Sequence, residues 1–231
     1  MIVVIGLPAY AGSASGEGSA GGLAVDVAAA ARTRGCPVEL VGKVGDDGAG
    51  DAVVLALGRM GVGHAALLRD PARPTPVIAA VAVATEPEMA DQAGDALAGG
   101  NGDEEPRGEV ELLPADPAAR PGLEAGDISL ALRYLPETRV VVLAEPLPEA
   151  AVAAAIEGAA FAVARLVVLV PAGATPPSLP PEATVLEAPA EDDGSFGRVV
   201  GAFAAGLDAG TEPAVAFAEA VKASGWEPVS T

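Results

Sequence analysis

The residues with most chemistry to offer gather near position 193. Asp192 and Asp193 precede Gly194, Ser195, Phe196 and Gly197, and an apolar helical run reaching Leu207 follows. A small glycine-bearing turn that opens a helix presents backbone N–H groups and the positive end of the helix dipole, a setting suited to phosphate. Gly194, Ser195 and Gly197 are therefore the candidate anion- or nucleotide-binding residues. Phosphoryl transfer to a hydroxyl also needs a carboxylate to take the proton of the attacking group. Asp192 and Asp193 are the acids beside this turn, and Gly48-Ala49-Gly50-Asp51 offers another acid after glycines. Asp51 stands where a helix is expected to start, a position at which an acid serves the N-terminus structurally.

Other reactive groups are few. Cys36 is the sole cysteine, so no internal disulfide or cysteine-based zinc site can form. Its setting, Arg34-Gly35-Cys36-Pro37, reads as the turn into a strand. His64, the sole histidine, lies in a loop-like Gly63-His64-Ala65 with no hydrolase signature around it. Asp46-Asp47 and Glu104-Glu105 could offer oxygen ligands to a hard cation, but 32 acids make adjacent carboxylates commonplace, and no metal site is expected.

The charge narrows the function classes. A net charge of −19 repels a phosphate backbone, and Lys43 and Lys222 are the only lysines, which argues against nucleic acid as a partner. The first residues, Met1-Ile2-Val3-Val4-Ile5-Gly6, have no basic flank and read as a strand, not a signal peptide. The apolar stretch 150–170 contains Glu157, Gly158 and Arg165 and divides into a helix and a strand, so no membrane span is expected.

These side chains must be positioned by alternating strands and helices. Continuous apolar runs predict strands at 2–5, 38–44, 77–84, 140–143, 166–170 and 184–187, with a further strand at 108–113. Helical patterns fall at 22–33, 51–60, 126–134, 149–164, 197–209 and 212–223. A glycine- and serine-rich loop is expected at 7–21 and a flexible acidic loop at 85–107. Such alternation predicts one α/β domain over 1–231: a mostly parallel central sheet between two helical layers. Ligands in such sheets bind outside the carboxyl ends of the strands.

Gly21-Gly22-Leu23-Ala24-Val25-Asp26, then Leu40-Val41-Gly42-Lys43-Val44-Gly45-Asp46-Asp47, then Arg73-Pro74-Thr75-Pro76-Val77, and finally Val200-Gly201-Ala202-Phe203-Ala204, follow one another in an order that resembles the ribokinase (PfkB) carbohydrate-kinase family. The resemblance implies a ribokinase-like three-layer fold, with Gly21, Gly22 and Asp26 facing the sugar. It also implies several losses. Gly197 falls where the family carries its catalytic Asp, and Phe196, in place of the preceding glycine, is expected to crowd the anion-binding N–H groups. Leu7-Pro8-Ala9-Tyr10-Ala11 has no carboxylate where the family grips sugar hydroxyls, and Asp26 stands in place of an Asn. The short 7–21 segment implies a β-lid that is reduced or absent. A different register, with 184–231 as the middle of the family fold, likewise leaves no base.

The resulting expectation is a diverged homologue with little or no phosphotransfer activity that retains a small-molecule pocket for a sugar or nucleoside. Two other readings stay open. One is an active carbohydrate kinase using ATP and Mg2+ with Asp193, Asp192 or Asp51 as a relocated base. The other is a non-catalytic scaffold or regulatory subunit. A cytoplasmic location, no nucleic-acid or membrane partner, and a homodimer formed through an uncovered sheet edge complete the expectations.

Overall fold

The computed structural model describes residues 1–12, 18–79, 119–190 and 194–224. The expected acidic loop at 85–107, the strand at 108–113, the end of the 77–84 strand and the candidate bases Asp192 and Asp193 lie outside the described residues.

Six parallel strands form the central sheet, in the order β5-β4-β1-β7-β8-β9. They are β1 (Ile2–Ile5), β4 (Val38–Gly45), β5 (Leu67–Asp70), β7 (Val140–Leu143), β8 (Arg165–Val170) and β9 (Thr184–Glu187). β1 and β7 are buried along their whole length, which is why each reads as an unbroken Val/Ile/Leu run. One face of the sheet is covered by α1 (Leu23–Thr33), α2 (Gly48–Met60), α5 (Ser195–Asp208) and α6 (Pro213–Ser224), around a core that includes Val4, Leu40, Val142 and Phe203. The other face is covered by α3 (Ala125–Tyr134) and α4 (Glu149–Phe161), around Val3, Ile5, Val141 and Val168.

A second, three-stranded sheet, β3-β2-β6, is built from β2 (Ala9–Gly12), β3 (Ser19–Gly21) and β6 (Val77–Ala79). β2 pairs antiparallel with β3 and parallel with β6. The 7–21 segment is thus not simply a loop: it carries a small sheet where a reduced lid was expected. The strand read from 77 belongs to this sheet and not to the central one. β5 had no expected counterpart.

The junction of the two sheets is tightly fixed. Asp47 caps α2 by accepting from Gly50 N–H at 2.8 Å, and its carboxylate also accepts from Thr75 N–H at 2.8 Å and Thr75 Oγ1–H at 2.7 Å. Thr75 Oγ1 in turn accepts from Gly45 N–H at 2.9 Å. These bonds join the end of β4, the start of α2 and the approach to β6. Burial raises the Asp47 carboxyl, but the hydrogen bonds from Thr75 and Gly50 outweigh it and hold the group below the usual carboxylate range.

Candidate functional site at the sheet switch point

From β1 the chain turns one way through α1 to β4, while β7 lies on the other side of β1. The strand order therefore reverses between the carboxyl ends of β1 and β7, the place where α/β sheets of this kind take ligands. Gly6 and Leu7 follow β1 there, and Ala144 and Glu145 follow β7.

Glu145 is the titratable group built into this point. Its Oε1 accepts from Leu7 N–H at 2.6 Å. A methyl placed on Gly6 would lie 2.9 Å from Ala24 Cβ and 3.6 Å from Glu145 Oε1, so the carboxyl stands close to the first turn of α1. Burial pushes its pKa up to about 7, opposed by the Leu7 hydrogen bond and by Arg120. The sequence reading passed over Glu145. The available signal was its position: the first carboxylate after a fully apolar strand next to the central one.

The two glycine-led helix starts singled out in the sequence come together here. Gly22 and Gly194 both hold positive φ, 96° and 81°, and cap α1 and α5 without a side-chain hydrogen bond. Gly197 is buried in the first turn of α5, and a Cβ there would lie 2.6 Å from Asp26 Cβ. One turn on, a Cβ at Gly201 would meet the Val27 carbonyl oxygen at 2.5 Å and Ala30 Cβ at 2.6 Å. α5 thus lies directly against α1, and the glycines at 197 and 201 permit that approach. Gly197 is thus brought beside Asp26 and Leu23 at the start of α1. No carboxylate fits at 197 without separating the helices.

Phe196 is buried in the core with Val199 and Phe203. The helix needs an apolar anchor at that position, and core burial decides where the ring goes.

The remaining candidates are placed elsewhere. Asp51 is exposed in the first turn of α2, its Oδ1 accepting from Arg69 Nη2 at 2.6 Å, while Arg69 Nη1 donates to the Gly45 carbonyl at 3.1 Å. His64 Nδ1 lies 3.2 Å from the Val62 carbonyl oxygen. Burial and then the Asp208 carboxylate push the Cys36 thiol up, which suppresses the reactive thiolate. Among the described residues no group of three or more His, Cys, Asp or Glu is gathered to hold a metal ion, and no helix is long and apolar enough to cross a membrane.

No family model matches the chain, and no curated protein matches it. Solved structures do. Sa239, known from a crystal structure, superposes with a TM-score of 0.66 at 14% identity, covering 99% of this chain and 95% of its own. Arabidopsis thaliana ribokinase, solved with ribose and ATP, gives a TM-score of 0.61 at 14% identity, covering 96% and 90%. An uncharacterized sugar kinase from Pyrococcus horikoshii, solved with ATP, gives 0.51 at 16% identity over 74% of this chain and 53% of that one. At these identities the shared property is the fold: the chain is ribokinase-like in architecture, as its sequence pattern resembles.

Proposed function

We propose that this chain is a ribokinase-like protein that binds a small hydroxylated molecule, a sugar or nucleoside, at the β1–β7 switch point and transfers phosphate poorly or not at all. One observation carries the reading: Gly197 is buried against Asp26, with 2.6 Å between Asp26 Cβ and the place a Cβ at 197 would take. The position that the sequence resemblance assigns to the catalytic base is occupied by a helix–helix contact. Loss of a positioned general base lowers the rate by about a hundred- to ten-thousand-fold. Binding needs less. Gly21, Gly22, Asp26 and Glu145 supply backbone and carboxylate groups for hydroxyls, and the start of α5 supplies N–H groups for an anion.

A thermal-shift panel of sugars, nucleosides, phosphosugars, ADP and ATP with magnesium tests the reading. A ligand at 100 times its dissociation constant stabilises by about 2.7 kcal/mol. The reading expects a shift with at least one sugar or nucleoside; a chain that responds to none of them contradicts it.

A second reading, retained kinase activity with a relocated base, draws on Glu145. A carboxyl with a pKa of about 7 at the switch point is poised to accept a proton near neutral pH. ADP release that falls by a hundredfold or more (about that range) in Glu145→Gln, with binding kept, favours it over the first.

A further inference from the structure

The end of the molecule opposite the switch point shows a different kind of specialisation. α1, α2 and α5 each close with a glycine in the left-handed region, Gly35, Gly61 and Gly210, at φ of 83°, 69° and 87°. Glycine holds that conformation without strain and is the ordinary residue for such a helix end. α4 closes with the same hydrogen-bonding pattern, Val163 N–H donating to Ala160 and Ala164 N–H to Ala159, but it places a valine at the left-handed position, φ 54°. Among the described residues Val163 is the one non-glycine with positive φ. It is also a β-branched residue, for which this backbone conformation is most costly.

The strained side chain is not used in the core. Val163 is 89% exposed, Phe161 at the last turn of α4 is 87% exposed, and Tyr134 at the end of α3 is 76% exposed. These are the three most exposed large apolar residues among those described, in a chain with only 3% aromatics. An open hollow of about 420 Å³ lies beside the residues that follow these helices, lined in part by Pro136, Glu137, Arg139 and Ala162. Backbone strain that serves no core contact, held beside exposed aromatics, is the pattern of a binding surface.

The charge around this corner runs against that of the molecule. Arg133 ends α3, Arg139 precedes β7 and Arg165 opens β8, all three exposed, in a chain with 13 basic and 32 acidic residues. Arg139 donates to the Asp208 carbonyl at 3.1 Å and is ion-paired with the Asp208 carboxylate at 3.6 Å, and its side chain stays 68% exposed, so Arg133 and Arg165 carry most of the local positive charge. Glu137 is the acid that shares the hollow.

We propose that the corner carrying Tyr134, Phe161 and Val163 is a docking surface for an acidic polypeptide segment of another protein, whose apolar side chains seat on the corner while its carboxylates meet Arg133, Arg139 and Arg165. Charge selects this occupant. A two-fold contact with a second copy centred on the arginines would set them against one another. An anionic lipid surface would face a molecule of net charge −19. An acidic segment is attracted locally and touches only this end.

The test uses the full chain and a fluorescein-labelled random copolymer of Glu and Tyr, read by fluorescence anisotropy at low and moderate salt. Polyglutamate, phosphatidylserine vesicles and sedimentation of the chain alone run in parallel. The proposal expects copolymer binding that exceeds polyglutamate binding and weakens with salt. It expects affinity to fall about tenfold or more both in Phe161→Ser combined with Val163→Gly and in Arg133→Glu combined with Arg165→Glu. Val163→Gly relieves backbone strain, so that pair should stay folded by circular dichroism. Absent copolymer binding, equal binding to polyglutamate, undiminished binding by folded variants, preference for vesicles, or a dimer abolished by the corner substitutions would each overturn the proposal.

Discussion

Gly197 and Glu145 set the chemical limits of the site. At 197, any side chain must enter a space whose far wall is Asp26 Cβ, 2.6 Å from the first carbon it would add. Gly197→Asp should therefore destabilise the fold, by about 1–3 kcal/mol as overpacked sites do. It should confer no kinase activity, and urea unfolding together with an ADP-release assay checks both parts. Glu145 makes a prediction of opposite kind. Its folded pKa, about 7, lies above its ordinary value, so the folded state holds the proton more tightly than the unfolded chain. That contribution is fully present below the unfolded pKa and is lost as pH rises through about 7. Glu145→Gln should accordingly melt at a higher temperature than the unchanged chain at pH 8, with the difference shrinking towards pH 5. A difference that grows on acidification would contradict the burial of this carboxyl.

At the scale of elements, Asp47 is the fastening between the two sheets. Asp47→Ala removes the α2 cap and both bonds to Thr75 together, an expected loss of about 2 kcal/mol measurable by chemical denaturation. Because the Asp47 pKa is lowered by folding, its contribution is present above the unfolded pKa and fades as pH falls through the folded one, the reverse of Glu145. This fastening also explains what the sequence could and could not reveal. β1 and β7 were legible because their residues are consecutive apolar types. β2 and β3 were not, since Ala-Tyr-Ala-Gly and Ser-Ala-Gly carry turn-forming residues and owe their pairing to tertiary contacts. β5 was hidden by Arg69 and Asp70 at an edge of the sheet, where charge is tolerated. α2 starts three residues before its apolar pattern because the Asp47 cap makes a helical turn of Gly48-Ala49-Gly50. α4 ends at Phe161, before its pattern does, because the backbone turns left-handed at Val163. Of the site, the glycine-led starts of α1 and α5 were legible as local sequence. Their mutual contact and the role of Glu145 depend on topology that periodicity does not encode.

Across the whole molecule, the net charge of −19 opposes compaction. Added salt should raise the melting temperature, most steeply between a few millimolar and about 0.1 M, where the screening length falls to about 10 Å. A melting temperature flat across that range would mean that the surface charges are already paired. The same charge disfavours anionic ligands at long range, so neutral sugars and nucleosides should outbind their phosphorylated forms unless the start of α5 captures the phosphate. On the proposed reading, the α1–α5 contact leaves no room for a base at residue 197.

The most direct test of that account is ADP release from ATP and magnesium by the purified chain across a panel of sugars and nucleosides that includes every compound giving a thermal shift. The account predicts release at least about a hundredfold slower than the ordinary pace of such enzymes, even at saturating ligand. Turnover at the ordinary pace of such enzymes, about 1–100 per second, would contradict it and point to a base other than residue 197.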